Sequence, residues 1–273
     1  MNKTILVTGA SSGIGKSVAL FFQKNGWNVI ATMRSPEKET ELKNTELFLL
    51  TKLDVTNTHS IKSAISEGIS KFGGIDVIVN NAGYGAVGIF EAATQDQIQK
   101  QFETNVFGVM NVIREILPHF REKKNGTIIN ITSMGGLITF PIYSVYHGTK
   151  WAVEGYSEAL AFELRPFNIK VKNVEPGAIK TDFYNRSMDL FKKDGLTAYD
   201  RYTEITYTNT QKAGENAPGP EVVAQTVWKA ANDSSFKLRY PVGTDSSSLL
   251  ILRRIIPNSW FNFIVRNVVE KGL

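Results

Sequence analysis

Short apolar runs that stop at glycine or a polar turn alternate along this chain with segments of helical periodicity, and that alternation constrains the fold most. Lys3–Gly9 (KTILVTG), Asn28–Met33 (NVIATM), Leu47–Val55 (LFLLTKLDV), Ile75–Gly83 (IDVIVNNAG), Gly126–Ser133 (GTIINITS) and Ile169–Gly177 (IKVKNVEPG) read as strands. Strands apolar at nearly every position are covered on both faces. Between them, Ile14–Lys24 places Ile14, Val18, Phe21 and Phe22 on one side of a helix. Gln95–Phe120 reads as one long helix. Thr94 and Gln97 form its capping box, and Ile98, Phe102, Val106, Val109, Ile113, Ile116 and Phe120 follow at helical intervals. Glu221–Asn232 reads as another helix. The expectation is an α/β fold built on a doubly wound parallel sheet, with helices on both faces.

No internal repeat, linker or low-complexity tract divides the 273 residues, so one domain spanning 1–273 is expected. The chain has no cysteine, which removes thiol catalysis, disulfides and thiolate-held metals. His59 and His119 lack metal-ligand spacing, so no metal is expected. The N-terminus shows no secretory signal, and no run approaches the roughly 18 apolar residues of a membrane span. A cytoplasmic protein is the expectation. The net charge of +5 is scattered rather than gathered in a stripe, which argues against nucleic acid and suits a small anionic ligand.

Two stretches break the α/β rhythm. Residues 182–218 are polar and tyrosine-rich, with Tyr184, Tyr199, Tyr202 and Tyr207, and follow a strand end. A long insertion there reads as a substrate lid. Residues 246–273 are amphipathic and interrupted at Pro257. They are expected to pack over the lid or against another subunit, with a membrane surface as the alternative.

The turn Thr8–Gly15 (TGASSGIG) joins the first strand to the first helix. Glycines at 9, 13 and 15 allow a tight turn and close approach to backbone N–H groups at a helix N-terminus, where a pyrophosphate fits. The spacing G-x-x-x-G-x-G differs from the commonest dinucleotide fingerprint. The second strand ends in ATMRS with no acidic residue to hold a ribose 2′-hydroxyl. Arg34 is positioned to pair with a 2′-phosphate, so NADP(H) is favoured over NAD(H). The alternative is an exposed arginine after a strand. Asp54, at the third strand's end, suits an adenine amino group or the capping of the helix that follows.

Tyr146 and Lys150 lie one helical turn apart, Ser133 ends the fifth strand, and Asn105 sits inside the long helix. Taken singly, these are a solvated pair, a strand-end cap and a packing asparagine. His147 points off at another angle and reads as structural. In order along the chain, TGASSGIG, Asp54, NNAG (Asn80–Gly83), Asn105, Ser133, YHGTK and EPGAIKT (Glu175–Thr181) resemble the short-chain dehydrogenase/reductase family over roughly residues 1–181. The chain resembles the compact, single-domain type, and ATMR (Ala31–Arg34) is most similar to the NADP-preferring, hydroxysteroid-dehydrogenase-like members. The resemblance implies a Rossmann-like sheet of order 3-2-1-4-5-6-7 and assembly as a homodimer or homotetramer.

It also implies roles. Cofactor contacts fall to Gly9, Ser11, Ser12, Gly13, Ile14, Gly15, Arg34, Asp54, Val55, Asn81, Ala82, Gly83, Tyr146, Lys150, Pro176, Gly177, Ile179 and Thr181. Catalysis falls to Ser133, which hydrogen-bonds the substrate oxygen, to Tyr146 as general acid or base, to Lys150, and to Asn105 in a water relay. A free tyrosine titrates at ~10, and bringing it near neutrality takes about 4 kcal/mol of preferential phenolate stabilisation. Lys150 is placed to contribute. Phe140, Tyr143, Val145 and the tyrosine-rich segment are candidates for an apolar pocket, so the expected substrate is a hydrophobic ketone or secondary alcohol. A dinucleotide-sensing protein without turnover is the other reading.

Overall fold

A computed structural model describes residues 2–181, 188–215 and 217–273. Strands β1 (Thr4–Val7), β2 (Asn28–Met33), β3 (Phe48–Lys52) and β4 (Val77–Asn80) are joined by helices α1 (Gly13–Lys24) and α2 (Thr58–Phe72). After the short strand β5 (Gly85–Val87) come α3 (Gln95–Phe102), α4 (Gly108–Lys123), β6 (Gly126–Ile131), α5 (Ser144–Leu164) and β7 (Ile169–Pro176). The remainder comprises β8 (Met188–Leu190), α6 (Asp200–Glu215), α7 (Glu221–Asn232), β9 (Arg239–Val242), α8 (Thr244–Ile255) and α9 (Asn258–Val269). Seven parallel strands form one sheet in the order β3-β2-β1-β4-β6-β7-β9. Counting only the strands of this sheet, that is the expected 3-2-1-4-5-6-7.

The two-residue period of a strand splits its apolar residues between two cores. Ile5 and Val7 of β1 join Val29, Val79, Ile129 and Val174 against α1 and α7. Leu6 turns to the opposite face, with Ile30, Ile78, Ile128 and Val171 against α2, α4 and α5.

One expectation is corrected, and two elements carried no recognisable signal in the sequence. The long helix at 95–120 is two helices, separated by a π turn at Glu103–Phe107 that holds Asn105. The capping box at Thr94 and Gln97 forms as read. The seventh strand, RYPV, showed no strand pattern because it contains Pro241. A proline removes a ladder N–H and is tolerated at an edge, and among the described residues β9 is an edge strand paired with β7. A separate two-stranded sheet, β5 with β8, was not anticipated.

Candidate active site

All seven strands of the main sheet deliver residues to one cleft of about 1510 Å³ along their C-terminal ends. Gly9 follows β1, Arg34 follows β2, Asp54 follows β3, Asn81 follows β4, Ser133 follows β6, Gly177 follows β7, and Gly243 follows β9. Helices cover both faces of such a sheet, so its open edge is where a ligand can enter. The volume exceeds the roughly 300–1,000 Å³ of a single drug-sized site.

Every residue assigned from the sequence to cofactor contact lines this cleft except Gly15, which lies beneath the turn. A Cβ at Gly15 would stand 2.3 Å from the Gly9 carbonyl oxygen and 2.5 Å from Asn81 Nδ2. Asn81 explains the crowding, because its Nδ2 donates to the carbonyls of Thr8 (3.0 Å) and Gly9 (3.1 Å). Thr8 Oγ1 accepts in return from the N–H groups of Asn81 and Ala82, both at 3.0 Å. The NNAG motif therefore braces the glycine turn from behind. Gly9 and Gly13 take positive φ, 67° and 52°, where a side chain is strained.

At the far end, Arg34 is exposed at the rim. The sequence reading found no acid up to Ser35, but Glu39 and Glu41 also reach this rim. Lys16 neutralises them at 3.6 and 2.9 Å. Burial works against the Glu39 carboxylate, but the N–H groups of Glu41 and Leu42, together with Lys16, outweigh it and hold it below the ordinary range. Asp54 does not cap α2, because Asn57 does, accepting from Ser60 N at 3.0 Å. Asp54 Oδ1 instead accepts from Thr56 N (3.0 Å) and Thr56 Oγ1 (2.8 Å), leaving the carboxylate facing the cleft.

In the middle, α5 presents Tyr146 and Lys150 on one face, both lining the cleft. Lys150 Nζ lies 5.7 Å from the Tyr146 ring centroid and donates to Ile131 O at 3.0 Å. Enclosure by protein pulls the Lys150 ammonium down from 10.5 to about 8, with Glu154 opposing. Ser133 both caps and faces the cleft. Its Oγ accepts from Gly135 N (3.0 Å) and donates weakly to Pro176 O (3.5 Å). Asn105 does not line the cleft among the described residues. Its Nδ2 donates to Tyr84 O (2.9 Å) and Thr149 Oγ1 (3.3 Å), and its Oδ1 accepts from Tyr84 N (3.1 Å). The amide is consumed in tying the loop after β4 to α5.

His147, read as structural, lines the cleft as well. It is buried, and its Nδ1 accepts from Phe140 N at 3.3 Å. Desolvation lowers it to about 4, so it is neutral near pH 7. It stacks on Tyr143 with centroids 5.6 Å apart. Ile142, just before Tyr143, has φ 62°, a region β-branched residues avoid at a cost of about 1–3 kcal/mol. Its carbonyl accepts from Gly88 N at 2.8 Å.

Several expected pocket residues are elsewhere. Val145 packs with Ala86 and Phe191. Tyr202 and Tyr207 pack behind the cleft against Val87, Ile142 and Tyr143. Tyr199 donates outward to Glu91 at 3.2 Å. Tyr184 and Asp182 lie outside the described residues. Sequence reasoning missed Met134, Leu249 and the α9 residues Ile264, Val265, Val268 and Val269, all of which line the cleft, while Asn209 and Thr210 of the tyrosine-rich segment line it too. The amphipathic pattern of the tail was the available signal. It identified a helix with an apolar side but not the surface that side meets.

The model of the short chain dehydrogenase family matches residues 3–189. The oxidoreductase YusZ of Bacillus subtilis is 38% identical over 277 residues, covering 97% of this chain and 98% of YusZ. The 3-ketodihydrosphingosine reductase of Bacteroides thetaiotaomicron is 44% identical over 179 residues, covering 66% of this chain and 65% of that protein. Among solved structures, ElxO with NADP bound superposes with a TM-score of 0.74 at 29% identity, over 91% of this chain and all of ElxO. The chain belongs to the short-chain dehydrogenase/reductase family. As such it is an oxidoreductase of carbonyl and alcohol groups, a class whose members use a nicotinamide dinucleotide. The residues present fit that group, since a Cβ-excluding glycine turn, a rim carrying Arg34 and the Tyr146–Lys150 pair follow one another along a single cleft. Among the described residues no group of side chains is arranged to hold a metal, and no helix is long and apolar enough to cross a membrane.

Proposed function

We propose that the protein reduces an apolar ketone to a secondary alcohol with NADPH, or runs the reverse oxidation, and that Tyr146 is its general acid and base. The observation that carries this is the Lys150 ammonium held 5.7 Å from the Tyr146 ring by its bond to Ile131 O, in the cleft that the glycine turn opens. When bound, NADPH supplies the hydride to the carbonyl carbon. Tyr146 delivers the proton to the carbonyl oxygen, and the Lys150 charge stabilises the phenolate left behind. Ser133 donates to the same oxygen, its hydroxyl proton being held only loosely by Pro176. Asn105 acts through position, fixing the loop after β4. The apolar wall of Met134, Phe140, Leu249, Val265 and Val269 suits a hydrocarbon-rich substrate. The likeness to a reductase of a sphingoid ketone supports that class.

Arg34 is the residue we assign to the 2′-phosphate, and ElxO bound to NADP supports a phosphorylated cofactor. Arg34→Glu should weaken NADPH by about 10- to 100-fold, the worth of a charged hydrogen bond, while leaving NADH affinity nearly unchanged. Fluorescence titration with both cofactors measures this, and unchanged NADPH affinity would remove Arg34 from the site.

The test of the whole reading is NADPH oxidation against a panel of ketones of increasing alkyl length, including a long-chain 3-keto amine. Turnover that rises with chain length supports it. Tight cofactor binding with no turnover on any ketone would leave a dinucleotide-sensing protein. The exposed Trp151 and Phe162 on α5 are the surface we assign to a second copy, and a monomer by light scattering would overturn that.

A further inference from the structure

We propose that the outer face of the C-terminal helix pair docks on an anionic lipid surface, setting the mouth of the cleft against it. Helix α9 is apolar on opposite sides. Inward, Phe261 is buried with Ile138 and Leu250, while Val265 and Val269 line the cleft. Outward, Trp260, Phe263, Ile264 and Asn267 follow at i, i+3, i+4 and i+7, a single exposed stripe with one polar residue in it. Trp260 is 68% exposed, Phe263 66% and Val268 63%. Across the Pro257 corner, Ile251 and Ile255 of α8 are exposed one turn apart, at 58% and 75%. Large apolar side chains facing water in one patch mark an interaction surface.

Charge selects the occupant. Residues 246–273 carry four cations, Arg253, Arg254, Arg266 and Lys271, against the single carboxylate of Glu270. Glu270 pairs with Arg266 at 3.2 Å and accepts from the Tyr202 hydroxyl at 3.0 Å, which leaves Arg253, Arg254 and Lys271 as the cations outside that pair. A second copy meeting this face through a twofold axis would set cations against cations. Anionic headgroups would meet the cations while the aromatic and aliphatic side chains enter the acyl boundary, where tryptophan is favoured. The helix is also held in place to serve as a rim. Asn209 of α6 donates to Val269 O (2.9 Å) and Lys271 O (3.1 Å). Ile264 and Val268 belong both to the cleft and to the exposed outer side, giving a continuous apolar path between them. That path would pass an apolar ketone from lipid to site. This last step rests on the proposed function, whereas the docking does not.

The experiment is co-sedimentation of the full chain with phosphatidylcholine vesicles, with and without phosphatidylglycerol. Binding is expected only with phosphatidylglycerol, weakening as salt rises, and falling about tenfold or more in the Trp260→Ser/Phe263→Ser double variant. Neither residue lines the cleft, so turnover of a water-soluble ketone should be unchanged in that variant. Equal vesicle binding by the variant, or binding indifferent to phosphatidylglycerol, overturns the proposal. Self-association lost in the variant, with no vesicle binding by either protein, overturns it in favour of a second copy. Vesicle binding by a protein that turns over no ketone upholds the docking while removing the proposed function.

Discussion

Replacing Tyr146 by phenylalanine is expected to reduce ketone turnover by about 10²- to 10⁴-fold, the usual contribution of a positioned general acid. NADPH affinity should stay within about twofold, because the lost atom is a single hydroxyl and Lys150 keeps its anchor on Ile131 O. The ring also remains to pack against His147 and Tyr143. Steady-state kinetics beside a cofactor titration separate the two effects, and turnover preserved in the variant would take Tyr146 out of the chemistry. The same pair sets a pH dependence. Burial pulls the Lys150 ammonium down to about 8. Below that it is an ammonium that favours the phenolate, and above it the charge is gone. Because kcat/KM for NADPH reports the free enzyme, that parameter should fall away on the alkaline side of about 8. A profile flat well beyond that value would contradict the role given to Lys150.

Gly15→Ala is expected to abolish detectable dinucleotide binding and to lower stability by about 3 kcal/mol, the upper range for overpacking. The added Cβ would meet the Gly9 carbonyl oxygen at 2.3 Å and Asn81 Nδ2 at 2.5 Å. Neither neighbour is a flexible side-chain end. One is backbone, and the other is an amide already bonded to two carbonyls of the turn. Relief therefore requires the turn to open, and the N–H groups aimed at a pyrophosphate move with it. Gly155→Ala is the control within one chain, since nothing of that chain lies within 4 Å of its Cβ position on the exposed side of α5, the side assigned above to a second copy. It should stabilise the helix by roughly 0.5–1 kcal/mol. Thermal melts and cofactor titration of both variants provide the check. A Gly15→Ala protein that melts and binds like the parent would show that the turn does not need its close approach.

Much of the fold was legible because each element is encoded locally. Continuous apolar runs marked the first six strands, and the box at Thr94 and Gln97 marked a helix start. The π turn at Glu103–Phe107 was not legible, because it adds one residue to a helical period that otherwise reads unbroken. What accompanies it is tertiary. Gly108 lies so close to Val55 that a Cβ there would stand 2.6 Å from it, and Asn105 is drawn to Tyr84. Strand β9 was hidden by its proline, which only an edge position permits.

The candidate site divides in the same way. By itself the sequence determined the glycine turn, the Tyr146–Lys150 spacing, and the presence of Ser133 and Arg34 at strand ends, because backbone geometry alone carries those residues to one edge of a parallel sheet. Only the tertiary structure decided that Asn81 braces the turn, that Glu39 and Glu41 share the rim with Arg34, that His147 enters the cleft as a neutral ring, and that α9 closes one wall while leaving its other side bare. These depend on contacts between residues far apart in the chain, where neither side chain carries a mark of the partner it will meet.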